Sequence, residues 1–385
     1  MDFDLQWILL GLPVAFALGW MASRLDLRQW KREQRESPKA YFKGLNLLLN
    51  EQQDKAIDAF IEAVQHDPDT SDLHFALGNL FRRRGEYERA VRVHQHLLNR
   101  ADLPATERDR AQHGLAQDYM KAGLFDRAEE AWKALEGTAF DTEARLALLT
   151  LHERSRDWRA AIEDAQKLER SGTGSYASRI AHYWCELAQE SDTKGQTADA
   201  DEALRKAREA APQAARPLVL AGARARAAGD HAQAVACWRL LLAAHPNAFA
   251  LVARDFAASA QAAGESARAA EDLRALYQRV PSLDLLGGLA MLDGDAALRR
   301  TQVAQHLRAH PSLSAARELL RLRVAERGAS DDADELLIES AITHAAVPLQ
   351  RYRCAACGFE AQNYFWQCPG CLSWDSYPPQ RLEDL

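Results

Sequence analysis

Four of the six cysteines, Cys354, Cys357, Cys368 and Cys371, fall in two pairs with the spacing C-x2-C-x10-C-x2-C. Two such turns bring four thiolates together, and four sulfurs in a tetrahedron suit zinc or iron. Four cysteines also close the coordination sphere and leave no position for a reactive water, so the chemistry implied is structural. The expected cofactor is one Fe or Zn ion. Gly358 after Cys357, Gly370 inside the second turn and Pro369 after Cys368 suit tight turns around sulfur. The residues between the pairs, "FEAQNYFWQ", predict a short strand-turn-strand whose aromatics cover the metal.

"CAACGF" and "CPGC" resemble the knuckles of rubredoxin, where an Fe(Cys)4 centre passes one electron. Leu372 departs from that pattern, standing where a glycine usually follows. The stretch is also half a rubredoxin's length, so electron transfer is the lesser alternative. The other two cysteines, Cys185 and Cys237, stand alone in helical surroundings and read as small packing residues.

What carries this small site is a long helical chain with an internal period. In "HFALGNLFRRRGEYERAVRVHQHLL" (74–98) the positions of a tetratricopeptide repeat are filled by Gly78, Phe81, Gly85, Tyr87, Ala90 and His94. The preceding copy has Gly44, Ala56, Phe60 and Pro68, and Gly44 to Gly78 and Ala56 to Ala90 are both steps of 34. Later copies show Tyr119, Gly123, Ala128 and Trp132, then Trp158, Ala161 and Ala165, then Gly195, Ala200, Leu204 and Pro212. Gly222, Gly229, Ala234, Trp238 and Pro246 follow, then Gly264, Ala269, Leu273 and Pro281. Beyond Pro281 the pattern shortens, but "SAARELLRLRVAERG" and "DADELLIESAITHA" read as further helices. One such hairpin buries too little apolar surface alone, so the copies stack into a superhelix that holds another polypeptide. The pair His94 and His96, and the run Asp331, Asp332 and Asp334, read as solvated helix faces or caps.

At the other end, the eighteen residues 5–22 carry no charge and would span about 27 Å as a helix, near the thickness of a bilayer core. Trp7 and Trp20 sit near its ends. Only Asp2 and Asp4 precede it, whereas Arg24, Arg28, Lys31, Arg32 and Arg35 follow against Asp26 and Glu33. The positive-inside rule then puts the N-terminus outside and the rest in the cytoplasm. A cleaved signal peptide would want a basic start, and a buried core helix is the remaining alternative. In a reducing cytoplasm the four cysteines form a metal site and not a disulfide framework.

The fold expected is an all-α tetratricopeptide-repeat superhelix with an N-terminal transmembrane helix and a small rubredoxin-like metal domain. The divisions are 1–23 anchor, 24–36 basic juxtamembrane segment, 37–347 solenoid of about seven to nine helix pairs, and 348–385 metal domain. Only "VPLQR" separates the last helix from Tyr352, so the metal domain is expected to dock on the last helices and cap the open end. The composition, 47% hydrophobic and 27% charged with a net charge of -7, is that of a folded protein with no nucleic-acid signature. No GxGxxG, P-loop, HExxH or GxSxG pattern occurs, and no nucleophile stands beside a base in a recognisable motif. An enzyme is not indicated, and no catalytic residue is assigned.

The order of anchor, repeats and "YRCAACGF…YFWQCPGCLSW" resembles the lipopolysaccharide assembly protein B (LapB) family of Gram-negative bacteria across essentially the whole chain. The resemblance implies an inner-membrane adaptor that works with the membrane protease FtsH to control breakdown of the deacetylase committing material to lipid A. It further implies restraint by an inner-membrane protein that contacts the anchor. Carried over residue by residue, only Cys354, Cys357, Cys368 and Cys371 transfer, as metal ligands. The alternative function is a scaffold assembling lipopolysaccharide or envelope enzymes, with no part in turnover.

Overall fold

The computed structural model describes residues 15–21, 42–66, 69–327 and 333–384. Most of the expected anchor, the whole basic segment, Pro68, Asp331 and Asp332 lie outside the described residues. Within the anchor, 15–21 are helical, and among the described residues no helix is long and apolar enough to cross a membrane.

The chain divides into two compact units, Met1–Thr173 and Gly174–Leu385. In the first, antiparallel helices follow in pairs: α1 (42–49) with α2 (Gln53–His66), α3 (Ser71–Arg84) with α4 (Tyr87–Leu98), α5 (Ala105–Ala122) with α6 (Phe125–Lys133), and α7 (Asp141–Ser155) with α8 (Trp158–Arg170). The second unit holds α9 (Ala177–Thr193) with α10 (Thr197–Ala210), α11 (Ala215–Ala227) with α12 (His231–Ala244), and α13 (Ala253–Ala262) with α14 (Ser266–Arg279). It ends with α15 (Leu283–Asp293) and α16 (Ala296–Ala309), then α17 (Leu313–Arg327) and α18 (Ala333–Ala346), before the cysteine-bearing tail. Within each unit consecutive helices pack on one another, the arrangement of tetratricopeptide repeats.

The turn inside several of the pairs has one chemistry. Glu86 N–H reaches Phe81 O at 2.8 Å, Leu124 N–H reaches Tyr119 O at 2.9 Å, and Asp230 N–H reaches Ala225 O at 2.9 Å. This bond needs a left-handed residue just before it, supplied by Gly85, Gly123 and Gly229. The fourth pair lacks the glycine, and Arg156 takes its place at φ 59° with the same bond, Asp157 N–H to His152 O at 2.9 Å. Proline stops the second helix in several pairs, as at Pro246 and Pro281.

In three pairs, a glycine of the first helix receives a large side chain of the second, sixteen residues on. A Cβ at Gly44 would stand 2.8 Å from the Phe60 ring, and one at Gly222 would stand 2.3 Å from Trp238 Nε1. Phe60 and Trp238 are fully buried as a result. Unit 1 gathers its core around Phe60, Phe81, Tyr119 and Trp132, and unit 2 around Trp238, Phe249, Phe256 and Leu273.

His94 fills the same large position opposite Gly78, and here the expectation of a solvated face fails. The imidazole is fully buried between Gly78 and Gly114, with Nδ1 2.6 Å from Asp118 Oδ2. Arg82 closes the other side of that carboxylate at 2.7 Å from Oδ1 and donates to Gly114 O at 3.1 Å. The two glycines leave room for the ring, and Asp118, held by Arg82, satisfies its Nδ1 while Nε2 stays buried without a partner. His96, two residues on, is exposed as expected and stacks on His74.

Candidate metal centre

Each cysteine pair sits at the tip of its own small hairpin. Around the first, β1 (Tyr352–Arg353) pairs antiparallel with β2 (Glu360–Ala361), Tyr352 opposite Ala361. Around the second, a single antiparallel bridge joins Gln367 to Trp374. The stretch between the pairs thus runs from β2 through a bend at 362–363 to the bridge residue Gln367, but its strands pair across the two knuckles and not with each other. The ladders close each knuckle on itself instead, because that is where the chain reverses.

The knuckles share one backbone pattern. Gly358 N–H donates to Cys354 O at 2.9 Å, and Leu372 N–H donates to Cys368 O at 2.8 Å. Both residues are left-handed, Gly358 at φ 77° and Leu372 at φ 61°. The departure at Leu372 thus keeps the turn and accepts a steric cost of about 1–2 kcal/mol for a side chain in that region.

The four Sγ atoms lie within 4.8 Å of one another. A tetrahedral metal with bonds of about 2.3 Å to sulfur needs sulfur–sulfur edges of about 3.8 Å. Cys354 to Cys371 is 3.8 Å and Cys357 to Cys368 is 3.7 Å. The cluster therefore fits a structural Zn or Fe ion in size as well as in donor type. Cys354 and Cys368 are buried, whereas Cys357 and Cys371 reach the surface.

Polar groups surround the sulfurs. Ser376 and Ser373 hydroxyls stand 3.3 Å from Cys354 and Cys371 Sγ, and Gly370 N–H donates to Cys368 Sγ at 3.4 Å. Burial opposes ionisation of Cys354, yet the Ser376 hydroxyl and the Cys357 and Ala356 amides outweigh it and pull the thiol down. The Ser373 hydroxyl and amide pull Cys371 down likewise. Cys357 moves up: its hydrogen bond to the Phe359 amide acts the other way, but desolvation and the neighbouring sulfurs prevail. Such a cluster parts readily with its first protons and gives up the last when a cation replaces it.

This ribbon does not cap the open end of the helix stack. It lies along the first helices of the unit 2 pairs and reaches back to the earliest of them. From α9, Ser178 Oγ donates to Asp375 Oδ2 at 2.9 Å, and His182 Nε2 lies 2.9 Å from the same oxygen. The His182 ring stacks on Trp374 at 4.6 Å and 18°. Arg216 of α11 stands over Trp374 at 5.7 Å while its buried guanidinium is held by Glu186 and Gln189. Arg381 pairs with Asp284 of α15 at 2.8 Å. Glu383 accepts from Ser314 N–H at 3.0 Å, at the start of α17. The ribbon's own core is only Tyr352, Cys354, Cys368 and Tyr377, so its aromatic and charged edges are completed by the helix face.

The four predicted cysteines are thus brought together, and Cys185 and Cys237 are buried in the helices, with burial pushing both thiols up. Sequence reasoning missed Ser178, His182, Arg216, Asp284 and Ser314, none of which belongs to a motif. Only Trp374-Asp375 hinted at a dock, as a large ring and an acid on a domain too small to enclose them.

A family model described as "Rubredoxin metal binding domain" matches residues 352–378. Lipopolysaccharide assembly protein B of Escherichia coli K12 is 32% identical, over 98% of this chain and 98% of its own length. Its namesake in Haemophilus influenzae is 26% identical over 97% of this chain and 98% of its own. Among solved structures, a tetratricopeptide repeat protein from Parabacteroides merdae overlaps 67% of this chain and 99% of that one, with 16% identity and a TM-score of 0.34. With end-to-end kinship to the Escherichia coli protein, and the four clustered cysteines on their paired knuckles, the chain belongs to the lipopolysaccharide assembly protein B family.

Proposed function

We propose that the chain is a non-enzymatic adaptor of the inner membrane that regulates lipopolysaccharide synthesis by promoting FtsH-dependent turnover of the lipid A-committing deacetylase. Residues 1–23 anchor it with the N-terminus in the periplasm, and the bulk of the chain faces the cytoplasm. Cys354, Cys357, Cys368 and Cys371 hold one Zn or Fe ion that keeps the ribbon folded on the helices of unit 2. A further inner-membrane protein contacts the anchor and restrains the adaptor. The observation that carries this reading is kinship over 98% of the chain with a lipopolysaccharide assembly protein. Paired helices that present side chains along one face, with a metal-held ribbon laid on it, suit holding polypeptides better than reacting with small molecules.

The test is the half-life of the deacetylase in cells with and without the chain. Variants lacking residues 1–22 or carrying Cys354→Ser run alongside. The enzyme persists when the protein, its anchor or its metal is missing. An unchanged half-life would replace turnover with the scaffold role.

A further inference from the structure

Beside the docked ribbon, unit 2 holds a cavity of about 400 Å³ whose lining is dominated by charge. Four guanidiniums, those of Arg254, Arg299, Arg317 and Arg381, face it against two carboxylates, Asp284 and Glu318. Both acids are already engaged: Asp284 with Arg381 at 2.8 Å, and Glu318 with Arg299. Arg254 and Arg317 have no ion-pair partner among the described residues, and Arg317 Nε is buried without an acceptor. Arg254 is brought in by a specific gap, because a Cβ at Gly287 of α15 would stand 3.0 Å from its Nε. The nearby carboxylate of Glu383 accepts from Ser314 N–H and from Gln350 Nε2 and keeps its charge beside the cavity, so it is the two unpartnered guanidiniums, not an overall excess of charge, that mark an anion position.

A second cavity, of about 390 Å³, shares Arg254, Asp284 and Arg381 with the first. It adds Tyr352, Gln362, Asn363 and Tyr364 of the ribbon, together with Asp255, whose carboxylate pairs with Arg226. Through these shared residues the two adjoin as a trough, with the arginines toward the helix end and amides and rings toward the ribbon end. A guanidinium with no carboxylate partner is matched by an anion with planar oxygens. Side-chain amides both donate and accept, as an extended peptide backbone requires.

We infer that this trough is a docking site for an acidic polypeptide segment, with a carboxylate seated between Arg254 and Arg317 and the adjoining backbone along Gln362 and Asn363. The choice of a polypeptide rests on the adaptor reading, while the choice of an anion rests on Arg254 and Arg317 having no ion-pair partner among the described residues, with Arg317 Nε buried without an acceptor. Arg254 and Arg317 carry the recognition because no acid of the chain competes for them.

The probe is fluorescein-labelled hexaglutamate, titrated by anisotropy into the full, zinc-loaded chain, with hexaglutamine as the neutral control and inorganic phosphate as competitor. Hexaglutamate binds, binding weakens as salt rises, and Arg254→Gln and Arg317→Gln each raise the Kd about tenfold. Zinc content and melting temperature stay unchanged in both variants, because neither side chain holds an acid in place. Absent binding, equal binding of hexaglutamine, or binding indifferent to both substitutions overturns the inference. Phosphate that binds through the same two arginines more tightly than hexaglutamate overturns the polypeptide assignment and makes this a phosphate site. If hexaglutamate fails while deacetylase half-life still depends on the chain, this inference falls and the adaptor reading stands. Arginine-dependent binding with an unchanged half-life separates them the other way.

Discussion

His182→Ala tests whether the ribbon is held by the helix face or only tethered beside it. The ring stacks on Trp374 at 4.6 Å, a contact of about 0.5–1.5 kcal/mol beyond burial. Its Nε2 lies 2.9 Å from Asp375 Oδ2, but the Asp375 side chain is 49% exposed, so that pair contributes only about 0.5–1 kcal/mol. Together the loss is about 2 kcal/mol, or about a 30-fold rise in the undocked population. His182 is not among the sulfur cluster, so the variant keeps one metal per chain. Trypsin cleavage after Arg351, at the base of the ribbon, follows the undocked fraction when redocking is fast, and it should accelerate by about the same factor. His182→Phe keeps the stack and loses the polar contact, and its rate falls between the two. Cleavage no faster in His182→Ala than in the parent chain would refute this account. Loss of the metal would show instead that the helix face builds the centre itself.

In the core of unit 2, Gly222→Ala places a methyl 2.3 Å from Trp238 Nε1, and overpacking of this kind costs about 1–3 kcal/mol. The urea midpoint should fall, and Trp238→Leu in the same chain should restore much of it; an unmoved midpoint refutes the slot. A third expectation concerns pH. Burial opposes the charge on His152, but Asp164 at 2.8 Å and then Glu129 outweigh it and raise the imidazole's pKa. A raised folded value means stability fully present below the unfolded pKa of about 6.5 and lost as pH rises through the folded one. The chain should therefore melt higher near pH 6 than near pH 8.5 by a margin that His152→Asn removes. Equal margins in parent and variant refute it.

What was legible in the sequence was what is local. Two cysteine turns declare themselves through four residues each, and the 34-residue step survives because every pair must solve the same packing problem. Leu372 looked like a departure, yet its left-handed backbone restores the shared knuckle. What stayed hidden depends on partners distant along the chain. His94 reads as a polar residue in a large slot until Asp118 arrives 24 positions later. The dock was invisible for the same reason, since Ser178 and Asp375 lie 197 residues apart and neither spacing nor periodicity links them.

That last separation changes how unit 2 must come together. An array of helix pairs touching only their neighbours can form and fray one pair at a time. The ribbon ties α9 to the tail and so closes nearly the whole unit into a ring. Long-range closure of this sort makes folding slower and more all-or-none. Because the residues that close it are made after all the helices of the unit, the early pairs of unit 2 wait with an uncovered face until the ribbon has followed them. They are sealed only when the four sulfurs have been gathered. Metal supply would thereby set when a newly made chain is finished, a quality check written into the order of its residues.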